Sequence, residues 1–186
     1  MYITQQYNYT QLEPVIREVD SIDSTGYRNQ RIPLVDSVDH LDSLIRPLIW
    51  AYDQQYGYPG SVKLFKDPRG LRLEDCWVNF VGPGEATPIH NHGGVMSWCL
   101  WLRVPYTRQE EIAARPWVPA ANNINGEFAF HTVGDQGRIQ TIPLGVDRSW
   151  ERTLAIWPAH TYHSVFPFHS TDQLRVSVAG NYWFDV

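Results

Sequence analysis

Three histidines and one arginine have the residue types and spacing of a catalytic metal site with an acidic co-substrate. His90 and His92 are separated by one residue, His163 follows 71 positions after His92, and Arg175 comes 12 positions later. Alternate side chains of a β-strand point to the same face, so the pair could present two imidazole nitrogens to one ion. A first-row metal such as Fe(II) or Zn(II) then needs a third ligand, and three facial ligands leave positions open for reactants. The spacing therefore predicts a catalytic metal site.

The third ligand has two candidates, His163 and His160. We favour His163, at the end of the apolar strand predicted at 153–157, because it is followed by the segment Ser-Val and precedes the arginine segment at a suitable distance. Many non-haem iron oxygenases use two histidines and one carboxylate, and here His92 would take the place of the carboxylate. The other histidines, His40, His131 and His169, receive no role.

The arginine segment predicts recognition of a carboxylate. Residues 175–178 alternate polar and apolar, which places Arg175 and Ser177 on one face of a strand and two valines on the other. A guanidinium offers a planar fork of donors that fits a carboxylate, and a neighbouring hydroxyl can add one hydrogen bond. We expect this face to point into the cavity that holds the metal.

These residues give the chain a family resemblance. The segments LEDCWVNFVGPGEATPIHNHGGVMSWCLWLRVP, LAIWPAHTYHSVFP and LRVSVAGN, within 73–105 and 150–184, resemble the Fe(II)/2-oxoglutarate-dependent dioxygenases. The chain is most similar to a prolyl-4-hydroxylase-like branch of marine bacteria and phages that has a His-x-His pair. The resemblance implies a double-stranded β-helix, or jelly roll, with Fe(II) bound by His90, His92 and His163. It also implies that Arg175 and Ser177 bind the distal carboxylate of 2-oxoglutarate, and that 2-oxoglutarate and O2 are consumed to hydroxylate a C–H bond.

Two more residues acquire expected roles from this resemblance. Asn79 lies 11 positions before His90, where related DNA-alkylation repair dioxygenases have an asparagine that binds the co-substrate. Trp101 stands near a position where many relatives have a tyrosine that reaches 2-oxoglutarate, and its indole N–H could donate instead. A plain core tryptophan is the alternative for Trp101.

Composition agrees with a single enzyme domain. The chain has 186 residues, a net charge of −5 and no basic run, which does not favour general nucleic-acid binding. Cys76 and Cys99 fall in predicted core strands and are expected to be buried free thiols, as in a reducing cytoplasm. Without a signal peptide or an apolar run of membrane length, we expect a cytoplasmic protein that does not bind membranes. A small molecule or a polypeptide is the expected substrate, and the oligomeric state stays open.

The predicted elements are mostly β. Residues 1–60 are expected to form an N-terminal extension, with short strands or an arm within 1–35. An amphipathic helix is predicted at about 38–56, with Asp36 or Ser37 as its N-cap. Residues 61–186 are expected to form the jelly roll, with an insertion at about 106–126 that contains a short helix capped by Thr107 and Glu110. Strands are predicted at 62–65, 73–81, 96–104 and 153–157, and around Phe128, Phe130, Ile139 and Ile142.

Two other classes of protein fit parts of the sequence. Gly84, His90 and His92 match the opening of a cupin motif, although Met96 and Ser97 stand where its glutamate is expected. If the protein were a three-histidine cupin that does not use 2-oxoglutarate, Arg175 and Ser177 would have no functional role. A non-catalytic β-sandwich that binds ligands through its aromatic residues is the third class, but most tryptophans fall in predicted core strands. Metal binding separates the sandwich from the enzymes, and dependence on 2-oxoglutarate separates the two enzymes.

Overall fold

Two antiparallel β-sheets face each other in the computed structural model, which describes residues 2–26, 30–60 and 70–185. The strands are β1 (Ile3–Gln6), β2 (Arg31–Pro33), β3 (Leu71–Val81), β4 (Thr87–His90), β5 (Met96–Arg103), β6 (Phe128–Val133), β7 (Ile139–Pro143), β8 (Thr153–Pro158), β9 (His163–Val165) and β10 (Arg175–Phe184). The helices are α1 (Tyr9–Ser21), α2 (Val38–Tyr56) and α3 (Arg108–Ala114). The larger sheet has the order β1-β8-β5-β10-β3-β2, and the smaller sheet has the order β4-β9-β6-β7. The fold is the predicted jelly roll.

The central strands of the larger sheet separate two apolar cores. Along β5, Trp98 and Leu100 belong to a core that also contains side chains of both long helices, whereas Cys99 and Trp101 belong to a second core between the sheets. This alternation follows from the period of two in a strand. Because both faces of β5 are covered, its sequence is almost continuously apolar, and the second core surrounds the cavity described below.

Helix α2 has the predicted bounds and lies on the outer face of the larger sheet. Its buried side chains, which recur at helical spacing, are Leu41, Ile45, Ile49 and Tyr52. The helix ends at Gly57, whose φ of 66° is easily adopted without a Cβ. Ser37 is the N-cap residue, but its side chain makes no capping hydrogen bond. The hydroxyl donates instead to Glu18 on α1, at 2.5 Å.

Glu18 joins the two long helices. Its carboxylate also accepts hydrogen bonds from the backbone N–H groups of Val35, Asp36 and Ser37, at 2.6, 3.0 and 2.8 Å. Burial opposes ionisation of Glu18, but the hydrogen bonds from the Ser37 hydroxyl and the three backbone groups outweigh it and lower the pKa below 4.5. The ionised carboxylate therefore anchors the start of α2 to α1.

The N-terminal region contains a helix that was not predicted from the sequence. We expected only short strands or an arm there, and the structure has β1 and β2 together with the 13-residue helix α1. The helix buries only three side chains, Leu12, Val15 and Val19, and Pro14 lies between them, which weakens the periodic signal. A capping box of Asn8 and Gln11 begins it.

The predicted division at residue 60 stays a prediction, although β1 and β2 are the edge strands of the larger sheet. The strand predicted at 62–65 lies outside the described residues. Helix α3 is confirmed, with the predicted capping box of Thr107 and Glu110. No helix in the described ranges is both long enough and apolar enough to span a membrane.

Candidate active site

His90, His92 and His163 come together at one end of the cavity between the sheets. One nitrogen from each ring lies within 4.8 Å of the other two, and the ring centroids are 5.0, 4.3 and 5.1 Å apart. His90 is the last residue of β4 and His163 the first of β9, and the two are direct partners in the smaller sheet. Three imidazoles at this separation can converge on one metal ion.

The way in which the chain positions these rings differs from the prediction in two respects. His92 is not on the strand of His90 but two residues beyond its end, where its backbone N–H donates to the carbonyl of Ala159 at 3.0 Å. His163 does not end the 153–157 strand, since it begins β9 in the other sheet. The competing candidate, His160, is exposed and is not in the cluster, and its ring packs 5.8 Å from that of Tyr58.

Backbone carbonyls orient two of the rings. Nδ1 of His90 donates to the carbonyl of Pro88 at 2.8 Å, and Nδ1 of His163 donates to the carbonyl of Thr161 at 3.0 Å. Because Nδ1 carries the proton in each case, Nε2 has a free lone pair, and such outer hydrogen bonds are typical of metal-bound histidines.

Burial favours the neutral form of His92 and His163. Burial and the adjacent His90 lower the pKa of His92 to about 4. Burial also lowers the pKa of His163 to about 3, although its hydrogen bond to the carbonyl of Thr161 acts in the opposite direction. Neutral imidazoles are the form that binds metal ions, so this cluster fits Fe(II).

Arg175 lies at the other end of the same cavity, which has a volume of about 190 Å³. The arginine is only 3% exposed. Its Nη1 donates to the hydroxyl of Tyr106 at 2.8 Å and to the carbonyl of Gly126 at 3.1 Å. Nη2 is buried and has no hydrogen-bond partner among the described residues. Leaving a charged donor unpaired is costly, so this atom fits the carboxylate of a ligand.

The other residues predicted to contact the co-substrate also line this cavity. Ser177 follows Arg175 on the same face of β10, and its hydroxyl is hydrogen-bonded to the thiol of Cys99. Asn79, directly opposite Ser177 on β3, accepts a hydrogen bond from Nε1 of Trp77 at 3.1 Å. Trp101 packs edge-to-face on Phe128 with ring centroids 5.6 Å apart. The structure brings all three together, and their roles stay predictions.

Both cysteines are free, as predicted. Cys99 is buried, whereas Cys76 is only partly buried. Burial raises the pKa of each thiol to about 12, so both stay protonated at neutral pH.

Three further residues around the cavity had no role predicted from the sequence. Tyr106 holds Arg175 from a position 69 residues away, and no local signal in the sequence links the two. Arg31 and Trp77 line the cavity near His92. Trp77 could have been found, because it stands two residues before Asn79 and must share its face of β3.

Comparisons with known proteins agree with this geometry. A family model described as "Putative 2OG-Fe(II) oxygenase" matches residues 75–181, more than half of the chain. A search of curated proteins gave no match.

Three solved structures share the fold over 98% of this chain. One is an oxidoreductase of the 2OG-Fe(II) oxygenase family from Burkholderia pseudomallei, with 13% identity, 84% of its chain covered and a TM-score of 0.57. Another is a prolyl-4-hydroxylase from Pseudomonas putida, with 15% identity, 91% coverage and a TM-score of 0.57. The third is HygX from Streptomyces hygroscopicus with iron bound, with 10% identity, 81% coverage and a TM-score of 0.58. HygX also has a structure with nickel and 2-oxoglutarate bound, with 11% identity, 81% coverage and a TM-score of 0.56.

One jelly-roll cavity contains a three-histidine cluster and an unpaired, buried guanidinium nitrogen. The family model matches more than half of the sequence. The chain belongs to the 2OG-Fe(II) oxygenase family and is an oxidoreductase that uses Fe(II), 2-oxoglutarate and O2.

Proposed function

We propose that the protein is a hydroxylase of a small molecule or a polypeptide side chain, with His90, His92 and His163 as iron ligands and Arg175 and Ser177 as the site for the distal carboxylate. The observation that carries the proposal is the unpaired Nη2 of Arg175, buried in the cavity that the three histidines also line. A dicarboxylic co-substrate that bridges the two ends of this cavity would supply the missing acceptor.

The histidine cluster would hold the metal on one side only. His90, His92 and His163 would each bind Fe(II) through one imidazole nitrogen and would leave coordination positions open for the reactants. Bound iron supplies the redox chemistry that couples oxidation of 2-oxoglutarate by O2 to hydroxylation of a C–H bond. The three rings would hold the ion in place, and the hydrogen bonds to the carbonyls of Pro88 and Thr161 fix the orientation of the His90 and His163 rings.

The larger sheet would orient the co-substrate. Along β3, Trp77 lies beside His92 and Val81 pairs with Arg175. Four residues of strand separate these two positions, about 13 Å at 3.3 Å per residue. Asn79 lies midway, where an amide could contact the end of the co-substrate that is nearer the metal. Arg175 would bind the distal carboxylate, and Tyr106 would hold the guanidinium in position.

Aromatic walls would keep water away from the reacting atoms. Phe128 stacks on the ring of His163 at 5.2 Å, and Trp157 packs against the same ring at 5.4 Å. Both aromatic side chains are almost fully buried. A dry site strengthens the interaction between Arg175 and a carboxylate and limits side reactions.

The structural neighbours suggest the class of the primary substrate. The structural similarity to the P. putida prolyl-4-hydroxylase favours hydroxylation, and a polypeptide proline is one substrate that its name suggests. A small molecule is the other candidate substrate. We also propose a cytoplasmic location, which the two free thiols support.

Anaerobic titration of the Fe(II)-loaded protein with 2-oxoglutarate tests the proposal. Bidentate binding of the keto acid to iron gives a weak visible charge-transfer band, which we expect to appear and to saturate. Admission of O2 should then yield succinate. A protein that holds iron but never shows the band would contradict the proposal and would indicate a three-histidine cupin instead.

A further inference from the structure

A second arginine lines the cavity and has no task in the proposed reaction. Arg31, on the edge strand β2, extends over the ring of Trp77, with its guanidinium carbon 4.4 Å from the ring centroid. Trp77 is 7% exposed, and its indole N–H is held by Asn79. Arg31 itself is exposed. The guanidinium therefore lies on a fixed aromatic surface at the mouth of the cavity, with its N–H groups open to a ligand.

Glu74 and Asp75 line a groove next to Arg31, but neither forms an ion pair with it. Within the described ranges, Arg31 takes part in no ion pair. The carboxylate that acts on nearby His92 is that of Asp75, and it already accepts a hydrogen bond from Asn181 at 3.3 Å. The described residues that line the cavity include two arginines but no aspartate or glutamate.

The proposed cofactors do not remove this excess of positive charge. Fe(II) contributes two positive charges, and 2-oxoglutarate contributes two negative ones. Most relatives have a carboxylate ligand that adds one more negative charge, and here the neutral His92 stands in that position. With Arg175 and Arg31 also present, the occupied site would be cationic, so a further anion near its mouth would be stabilised.

The size of the cavity places the primary substrate at this mouth. Its volume of about 190 Å³ is smaller than the roughly 300–1,000 Å³ that is usual for ligand sites. A five-carbon dicarboxylate would take up the part between the metal and Arg175. Arg31 is the exposed residue among the described residues that line the cavity, so we expect the substrate to approach from its side.

We infer that the primary substrate carries an oxyanion, a carboxylate or a phosphate, and that Arg31 binds it and thereby orients the substrate toward the metal. This inference rests on the proposed function, because it assumes that 2-oxoglutarate occupies the inner part of the cavity. The planar guanidinium on the Trp77 ring can donate two parallel hydrogen bonds to either oxyanion.

The test uses anion probes on the Zn(II)-loaded protein with saturating 2-oxoglutarate, in which no turnover occurs. Acetate and methyl phosphate are titrated at constant ionic strength while the arginine Nε–Hε resonances are followed by NMR. Arg138 is the matched control, since it is exposed, has no ion pair among the described residues and lies beyond the cavity. We expect at least one probe to shift the Arg31 resonance saturably, with an affinity at least about tenfold higher than at Arg138. The probe that binds more tightly identifies the oxyanion.

Variants separate the possible explanations. In the variants, binding is followed by the indole N–H resonance of Trp77, whose ring the guanidinium covers. Arg31→Met should abolish the saturable binding, Arg31→Lys should retain part of it, and Arg138→Met should change nothing. Equal, non-saturating shifts at Arg31 and Arg138 would overturn the inference. A large loss of 2-oxoglutarate affinity in Arg31→Met would also overturn it, because Arg31 would then belong to the co-substrate site. If wild-type protein fails to bind 2-oxoglutarate at all, the proposed function itself is wrong and this inference falls with it.

Discussion

Replacement of Arg175 by methionine should separate co-substrate binding from metal binding. The substitution keeps much of the side-chain length and removes the charge. Tyr106 stays hydrogen-bonded, because its hydroxyl donates to the carbonyl of Gly126 at 2.6 Å, so the surrounding structure loses little. The distal carboxylate of 2-oxoglutarate would instead be buried without its partner. Removing one member of a buried ion pair costs about 3–5 kcal/mol, which corresponds to a dissociation constant about 100- to 5,000-fold higher.

The assay is the anaerobic titration followed by the charge-transfer band, with Fe(II) binding measured separately. Arg175→Met should bind Fe(II) like the wild type, because the histidine cluster lies at the other end of the cavity. Arg175→Lys is the matched control. It keeps the charge but not the planar fork, and its affinity for 2-oxoglutarate should lie between those of the wild type and Arg175→Met. Unchanged co-substrate affinity in Arg175→Met would refute the role of the unpaired nitrogen.

Three further predictions concern the metal and the scaffold. His163→Ala should abolish Fe(II) binding measured by equilibrium dialysis, whereas His160→Ala should bind like the wild type, and the opposite result would exchange their roles. Glu18 has a lowered pKa in the folded state, so its contribution to stability is present above its unfolded pKa and is lost as the pH falls through its folded pKa. The free energy of unfolding, measured with urea, should therefore fall more steeply below about pH 5 in the wild type than in Glu18→Gln, and equal slopes would contradict this. Glu111 is fully buried and accepts hydrogen bonds from the backbone N–H groups of His169 and Ser170, at 2.9 Å each. Glu111→Ala should destabilise the fold by about 3 kcal/mol, while the exposed Glu13→Ala should change the urea midpoint little.

The chemistry of the site was predictable from the sequence to a large extent. The His-x-His pair, the third histidine and the alternation around Arg175 are local patterns, and the structure brings these residues into one cavity. Strand β10 begins at Arg175, where the alternation predicted a strand, whereas the short strand β9 that begins at His163 was not predicted. Periods of two and 3.6 are set by backbone geometry, so they can be recognised without knowledge of the fold.

The parts that were wrong or missed depend on contacts between distant segments. The position of His92 beyond its strand is determined by a hydrogen bond to Ala159, and the assignment of His163 to the other sheet depends on pairing with His90. Tyr106 acts on Arg175 through the packing of two strands and an insertion. Such pairings are long-range, and a single sequence contains no local signal for them.

The candidate site residues come from both sheets, so the distance between the sheets sets the geometry of the site. His90 and His163 belong to the smaller sheet, whereas Arg175 and Ser177 belong to the larger one. The gap between the two is filled by Phe128 and Trp157, whose ring centroids are 5.3 Å apart. If the proposed iron site is occupied, these two rings would act as spacers between the metal and the guanidinium. A smaller or larger ring at Phe128 or Trp157 would change the distance that the co-substrate must span. Such a change would select among dicarboxylates of different length, although no residue that contacts the co-substrate would be altered.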